Sequence, residues 1–268
     1  MINELDHDRL IELSYSKFKE AYSVTKSKKA KINQHLVISQ IKQMERLIVN
    51  NKRFIGLFSH TSFTPVYTSS NLKKKIGFSA EEFYQLEVLN FMKMLHEKHI
   101  FSPYRICSWI TKFMERHDHL TLENNVLYIC GIKIKDKDGQ IKTGFIKIRN
   151  FKNALKESTT LSFFEIEDIS AIYKRDFYWM RITNKDSYRT YKQCYISNGP
   201  KKECLDLFTP RELEVLTLSK EQKSLEEIAT ILKLSKETVK RHRKNMLARS
   251  GLQDIQSLIH ICYLCDIF

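Results

Sequence analysis

The sequence predicts an α+β fold, in which N-terminal helices and an antiparallel-sheet domain are followed by an all-α domain of four helices. Short segments rich in aromatic and β-branched residues fill the middle of the chain, whereas helical periodicity dominates beyond a polar break at 197–206. A chain of 268 residues also exceeds one typical domain, so two domains are expected.

Residues 1–52 are predicted to form an N-terminal helical region. Apolar residues between Leu36 and Ile48 recur at three- and four-residue steps, with lysine and glutamine between them, which is typical of an amphipathic helix. The charge run KSKKAK at 26–31 is interpreted as a solvated connection between two helices, with a membrane or DNA contact as the alternative.

Residues 53–196 are predicted to form the sheet domain. The segments FIGLFSH and TPVYTSS have the composition of strands, and helical stretches follow with Ser79 and Ser102 as their N-caps. Two alternating runs then meet at Asp138-Gly139, which predicts a β-hairpin. Further β segments continue to residue 196, where a linker at 197–206 begins.

Residues 207–268 are predicted to form a helical DNA-binding domain. The stretch SKETVKRHRKN is strongly cationic and contains one aliphatic residue, Val239. On a helical wheel Val239 faces away from most of the cations, so it is predicted to anchor this helix on Ile228 and Ala229 of the preceding one. Two helices joined by a tight turn, with a small residue at their crossing, form the helix-turn-helix pattern, and an exposed basic helix suits the DNA major groove.

The C-terminal text resembles the LuxR-type DNA-binding domain of bacterial transcription regulators. The resemblance rests on TPRELEVL, EEIATIL and LSKETVKRHRKNML in that order, followed by a glycine and a leucine at 251 and 252. Two positions depart from the family pattern: Gln222 replaces the usual glycine before the second helix, and Leu225 replaces a common asparagine.

The resemblance implies which side chains contact DNA. Base-edge contacts are expected from Lys240, Arg241 and Lys244, and phosphate contacts from Thr238 and Arg243. The helical wheel adds Lys236 to the same cationic arc, so it is also predicted to contact DNA.

Residues 54–172 resemble a PAS sensor domain. The run VYTSSNLKKKIGFSAEEFYQL resembles the second strand, short helix and G-[YF]-S-x-E-E step of that family, and the hairpin around DKDG and the ending EIEDIS resemble its last three strands. The proline and aspartate of a further family element are missing at residues 94–96. A PAS domain followed by a LuxR-type domain is similar to regulators of Bacteroidetes-like bacteria, and the β segments at 176–183 and 188–196 lie outside the PAS core.

The sequence requires no cofactor, and it leaves open whether the PAS-like domain binds a small ligand. The histidine pairs at 96 and 99 and at 117 and 119 are interpreted as surface residues, with metal or haem binding as the alternative. The six cysteines are expected to be free thiols, and the Cys262/Cys265 pair is expected to be buried on a helix.

A formal net charge of +14 predicts a polyanionic partner. The expected partners are double-stranded promoter or operator DNA and a second copy of the chain, with RNA polymerase as a further candidate. Phosphate-cradling, nucleophile-elbow and zinc-protease motifs are absent from the sequence, so no enzyme is expected. No apolar run approaches the ~18 residues of a membrane span, so a cytoplasmic location without membrane contact is expected. A basic scaffold for RNA or an anionic membrane is the alternative.

Two apolar surfaces are candidates for pairing of two chains. The terminal segment from Gln253 to Phe268 presents Ile255, Leu258, Ile259, Cys262 and Ile267 at helical spacing, and its family counterpart commonly pairs with itself. We expect the PAS-like region to drive most of the dimerisation and the terminal helix to align the two DNA-reading heads.

Overall fold

An antiparallel sheet of eight strands lies at the centre of the residues described by a computed structural model, in the order β2-β1-β5-β4-β3-β6-β7-β8. The described residues are 53–59, 64–85, 92–120, 124–152, 159–186, 189–197, 203–204 and 206–268. The strands are β1 (Arg53–Ser59), β2 (Thr64–Thr68), β3 (Asn125–Lys135), β4 (Ile141–Lys152), β5 (Thr159–Asp168), β6 (Trp179–Lys185), β7 (Thr190–Ile196) and β8 (Glu203–Cys204).

The first five strands have the order 2-1-5-4-3, with the helices of this domain inserted between β2 and β3. These helices are α1 (Leu72–Ile76), α2 (Ala80–Tyr84) and α3 (Ser102–Arg116), with a 3-10 turn at Glu97–His99. Ser79 caps α2 through a complete capping box, as the sequence predicts. Ser102, by contrast, is the first residue of α3, and Phe101 takes the N-cap position.

The predicted hairpin at Asp138-Gly139 joins β3 and β4, whose pairing runs from Val126 opposite Arg149 to Lys135 opposite Ile141. Strands β6 and β7 extend the sheet past β3, in agreement with the extra strand segments of the sequence. The stretch predicted as a linker contributes the short strand β8, which pairs with β7.

Both faces of the sheet are covered, because successive side chains of a strand point to opposite sides. Helix α3 covers one face, where Leu127, Ile129, Met180 and Ile182 share a buried cluster with Trp109. On the other face the side chains of the sheet belong to the same buried cluster as the C-terminal helices. One continuous core therefore joins the sheet to the C-terminal domain.

The C-terminal domain contains α4 (Pro210–Lys220), α5 (Leu225–Leu232), α6 (Lys236–Ser250) and α7 (Ile255–Leu264). Its junction with the sheet is tight at Tyr173, which is 1% exposed and donates its hydroxyl hydrogen to the Phe177 carbonyl. A Cβ atom added at Gly131 or Gly251 would lie 2.6 or 2.7 Å from the Tyr173 side chain, and both glycines have positive φ. Glycine at these two positions thus permits the close approach of strand β3 and the end of α6 to one tyrosine ring.

The predicted N-terminal helical region at residues 1–52 lies outside the described residues. Among the residues that the structure does describe, no helix is long and apolar enough to cross a membrane.

Candidate nucleic-acid interface

Side-chain caps determine where the helices of the C-terminal domain begin. Thr209 and Ser224 each accept a hydrogen bond from the backbone of the third helical residue, Glu212 or Glu227, whose carboxylate in turn accepts from the cap backbone. Ser235 caps α6 by accepting from the Thr238 amide. Each cap satisfies backbone N–H groups that have no partner inside the helix, so three polar residues fix the start of three successive helices.

The turn between α5 and α6 contains Lys233 in the left-handed region, at φ +53°, and the Leu234 amide donates to the Ala229 carbonyl. A second left-handed residue precedes α5: Gln222 has φ +62°. Glycine adopts this conformation without the steric cost that a side chain adds, which explains why glycine is usual at this position of the family. Gln222 therefore adopts the left-handed loop conformation that glycine adopts more easily, at some cost in stability.

Val239 anchors α6 on the rest of the domain. It has no exposed surface and lies in the same buried cluster as Ile228 and Ala229 of α5, which are 0% and 8% exposed. Met246 and Ser250, further along the same side of α6, are also fully buried. One side of the helix is therefore committed to packing, and the other side is available to a partner.

The outward side of α6 is cationic. Lys236, Lys240, Arg241 and Lys244 are exposed, and Thr238 is half-buried beside the cap, where its hydroxyl lies 2.8 Å from that of Ser235. These side chains cover the first three turns of the helix, the part that enters the major groove in helix-turn-helix proteins.

The four exposed cations differ in their ion pairs. Lys236 pairs with Glu226 of α5, and this hydrogen bond lowers the pKa of the Glu226 carboxyl. Lys240 pairs with Glu237 at 2.8 Å, and Lys240 likewise lowers the pKa of that carboxyl. Arg241 and Lys244 have no ion pair with any other described residue. Arg241 and Lys244 can therefore bind DNA without first breaking an ion pair.

Arg243 lies differently from the other predicted contacts. It is half-buried, and one of its terminal nitrogens donates to the Ser219 hydroxyl of α4 at 2.9 Å. Its Nε is buried and has no hydrogen-bond partner among the described residues. Burial lowers the pKa of Arg243 below its ordinary range. Arg243 therefore links α6 to α4, and only part of its guanidinium group faces solvent.

An ion pair between half-buried Arg249 and buried Glu212 fixes the C-terminal end of α6. Arg249 donates to Glu212 at 2.8 and 3.1 Å and to the Leu207 carbonyl at 2.7 Å. Burial tends to raise the pKa of Glu212, but the hydrogen bonds from Arg249 and from the Thr209 amide outweigh it, so this pKa is lowered. The sequence marks Glu212 as a structural residue through the TPRE text, whereas nothing in it reveals Arg249 as the partner.

Strand β6 holds the C-terminal domain through two hydrogen-bonding side chains. The Trp179 indole donates to the Ser250 carbonyl of α6 at 3.0 Å. Arg181, 3% exposed, donates to the carbonyl of Cys265 at 3.1 Å and to the carboxylate of Asp206 at 2.9 Å. Both ends of the C-terminal domain are thus attached to one strand of the sheet.

A second set of polar contacts involves His260 of α7 and Asp266, just beyond its end. Asp266 accepts from the Tyr128 hydroxyl at 2.9 Å and from the Lys147 ammonium at 2.8 and 2.9 Å. His260 lies 2.8 Å from the Glu167 carboxylate on β5. Polar contacts at a buried interface fix orientation more than they add stability, so the C-terminal domain has a defined orientation on the sheet.

The structure changes two interpretations made from the sequence. Leu258, Ile259 and Cys262 of α7 are at most 8% exposed and pack inside the chain, so they do not present a surface for a second copy in this arrangement. His99 is 2% exposed rather than a surface residue. Its Nδ1 accepts from the Lys133 amide at 2.8 Å, and desolvation lowers its pKa to about 4, so it is a neutral structural histidine.

Among the described residues no group of three or more histidine, cysteine, aspartate or glutamate side chains is placed to hold a metal ion. Cys262 and Cys265 are buried free thiols, as expected from their apolar surroundings. Burial raises the pKa of the Cys262 thiol to about 12, which keeps it protonated and unreactive.

Residues 206–262 match the family model described as bacterial regulatory proteins, luxR family. This match covers α4 to most of α7, so the C-terminal domain is a LuxR-type helix-turn-helix domain. A search of curated proteins found no match to the sequence.

Several solved structures are similar to the chain at low identity. A Vibrio cholerae VqmA dimer, described as a LuxR-type receptor, is 13% identical with a TM-score of 0.31, over 83% of this chain and 86% of that one. A VqmA–ligand–DNA complex from the same organism is 12% identical with a TM-score of 0.30, over 83% and 85%. The N-terminal domain of a diguanylate cyclase with PAS/PAC sensor from Marinobacter aquaeolei is 12% identical with a TM-score of 0.33, over 45% and 97%.

Proposed function

We propose that this protein is a bacterial transcription regulator that binds specific DNA sequences as a homodimer, with its PAS-like sheet domain as the sensory part. The observation that supports this most is the coincidence of the LuxR-family match with a helix that is anchored by a buried valine and exposes cations on its other side. The proposal places the protein in the cytoplasm and assigns it no catalytic step.

Arg241 and Lys244 are the best candidates for reading bases. They are three residues apart on a helix, so they lie on neighbouring turns of one face, and neither is held by an acid of the described chain. Arginine and lysine both donate to the acceptors of guanine in the major groove, and arginine does so with two parallel hydrogen bonds. Lys240, one residue before Arg241, is a third candidate for base contact but is paired with Glu237. Lys236 and Thr238 lie nearest the N-terminus of α6 and are assigned to phosphates, which orient the helix.

Pairing follows from the need for specificity. One helix-turn-helix unit reads a short half-site, and selective binding in a genome generally requires two half-sites at a fixed spacing. Because the apolar side of α7 is buried against the sheet, we assign pairing to the sheet domain and the residues that precede it. Contact with RNA polymerase remains a candidate for the step after DNA binding.

The proposal is tested by finding the genomic sites that the tagged full-length protein occupies and measuring binding to one of them. Fluorescence anisotropy at one fixed salt concentration compares that duplex with a scrambled duplex, an RNA of equal length and anionic vesicles. We expect the genomic duplex to be bound most tightly. RNA or vesicles bound as tightly as the genomic duplex would overturn the proposal in favour of a basic scaffold.

A matched pair of variants makes this test specific to α6. Arg241→Ala and Lys74→Ala remove one positive charge each, the first from the exposed side of α6 and the second from the exposed surface of α1 in the sheet domain. We expect only Arg241→Ala to weaken binding to the genomic duplex. Equal losses in both variants would mean that overall charge, not helix α6, accounts for the affinity.

A further inference from the structure

A cavity lies between the sheet and the end of the C-terminal domain. Its volume is about 140 Å³, and its walls come from strands β1, β4 and β5 on one side and from α7 and the residue Asp266 on the other. A protein cavity of roughly 150 Å³ can hold a molecule of the size of benzene. The cavity is therefore large enough for a small organic ligand, and both domains line it.

Charged side chains cover the sheet side of the cavity. Arg53 lies opposite Glu167 in the pairing of β1 with β5, and Lys147 lies opposite Glu165 in the pairing of β4 with β5. Glu165 and Glu167 are two residues apart on one strand, so their side chains point to the same side of the sheet. Two acids and two bases thus share one small area of the sheet.

Most of these charges are paired with each other or with the C-terminal domain. Arg53 Nε donates to one oxygen of Glu167 at 2.7 Å, and the other Glu167 oxygen lies 2.8 Å from His260 of α7. The Lys147 ammonium donates to both oxygens of Asp266. These contacts join the sheet to the end of the C-terminal domain and determine the shape of the cavity.

The Glu165 carboxylate and the terminal nitrogens of Arg53 make no hydrogen bond with any residue that the structure describes. The Glu165 side chain is 14% exposed, and Nη1 of Arg53 lies 3.9 Å from its Oε2, which is too long for a hydrogen bond. A largely buried carboxylate and a guanidinium group therefore lie side by side, each with unused hydrogen-bonding capacity.

We propose that this cavity binds a small apolar α-amino acid, with its ammonium group donating to Glu165 and its carboxylate accepting from the terminal nitrogens of Arg53. An α-amino acid carries both charged groups on one carbon atom, so they are close together, as the two side chains of the cavity are. Ionised carboxylates only accept and guanidinium groups only donate, and arginine can bind a carboxylate through two parallel hydrogen bonds. The zwitterion thus supplies the donor and the acceptor that these two side chains lack.

The remaining walls of the cavity are apolar and select the side chain of the amino acid. Phe145 on β4 and Leu264 at the end of α7 are 3% and 7% exposed, and the exposed Tyr263 lies where the cavity meets solvent. Transfer of an aliphatic side chain from water to these surfaces is favourable. A charged side chain would lose its hydration without gaining a partner, because the other acids and bases of the cavity are already paired.

A ligand in this cavity contacts both domains. Because its site is complete only where the sheet lies against α7, the ligand stabilises this contact by mass action. At a ligand concentration one hundred times Kd, the arrangement with the two domains apart becomes about 100-fold rarer. This inference concerns ligand binding and the contact between domains, so it does not depend on the proposed function.

Calorimetric titration of the full-length protein tests the site, with L-valine as the probe. Isobutylamine is the same molecule without the carboxylate, and isovalerate is the same molecule without the ammonium group. We expect saturable binding of L-valine, and binding of the other two that is at least about tenfold weaker, as the loss of a hydrogen-bonded charge implies.

Glu165→Gln keeps the size of the side chain and removes its charge. The carboxylate makes no hydrogen bond with the described part of the chain, so the variant should keep the melting temperature of the parent. We expect it to bind L-valine at least about tenfold more weakly. Glu81→Gln, which changes an exposed glutamate of α2, is the matched control and should bind L-valine like the parent chain.

Absence of saturable L-valine binding at millimolar concentration would overturn the proposal, as would equal affinity for isobutylamine or isovalerate. Unchanged affinity in Glu165→Gln would also overturn it, because the ligand would then bind elsewhere. Saturating L-valine should slow hydrogen exchange of the α7 amides by up to about 100-fold. Unchanged exchange at saturation would place the ligand outside the contact between the sheet and α7 and so refute the site.

Discussion

Replacing Arg181 by alanine should loosen the attachment of the DNA-binding domain to the sheet. The change removes the donors to the partly buried Asp206 carboxylate and to the buried Cys265 carbonyl. Breaking a buried ion pair from one side costs about 3–5 kcal/mol. Lys192, 3.3 Å from Asp206, still offers that carboxylate a partner, so we expect the low end, about 3 kcal/mol.

Hydrogen exchange measures this loss directly. A decrease of about 3 kcal/mol in the free energy of opening raises exchange on the order of 100-fold. We expect that increase at the amides of α7, whereas α5, whose residues do not contact Arg181, should exchange as before. Arg149→Ala is the matched control, because this arginine is about half exposed and lies 3.8 Å from Asp266. Unchanged protection of α7 in Arg181→Ala, or an equal loss in the control, would refute the reasoning.

Four further predictions concern the C-terminal domain. Arg241→Ala and Lys244→Ala should each weaken operator binding by about 1–3 kcal/mol and change the preferred base, as measured by anisotropy on a set of substituted duplexes. Val239→Asp should bury an unpaired carboxylate at a cost of several kcal/mol, so the purified variant protein should lose helical circular dichroism. Gln222→Gly should raise stability to urea by up to about 1 kcal/mol, because the left-handed conformation strains a side chain. Because the pKa of Glu212 is lowered in the fold, its ionised form contributes its full stability above the ordinary pKa near 4.5, and this contribution is lost as the pH falls through the folded-state pKa. The melting temperature of Glu212→Gln should therefore depend less on pH across that acidic range than the melting temperature of the parent chain does.

The helix-turn-helix domain could be predicted from the sequence because its signals are local. Ser235, Val239 and the cations of α6 lie within ten residues, and helical periodicity alone separates the buried side from the exposed one. The strands were predictable for the same reason, since Asp138-Gly139 between two alternating runs determines a hairpin. Caps at Thr209 and Ser224 are equally short-range signals.

The ion pairs of the candidate interface were harder to predict from the sequence. Glu226 and Glu237 each neutralise a lysine that the helical wheel presents as free, and the partner of Lys236 lies on the preceding helix. A charge count for α6 alone thus overstates the cations that are available to DNA. The distinction between Arg241 and Lys240 depends on side-chain contacts, which the sequence does not specify.

The docking of the C-terminal domain on the sheet joins residues far apart in the chain, such as Tyr128 and Asp266, so no window of sequence contains it. One indication was nevertheless present. The segment YWMRIT around β6 is bulky at consecutive positions, and the first four residues of the strand are all buried. A strand that faces solvent on one side alternates apolar and polar residues, whereas one buried on both sides does not. The lack of alternation in β6 therefore predicts a second layer on the sheet, and the C-terminal domain with its hydrogen bonds to Trp179 and Arg181 is that layer.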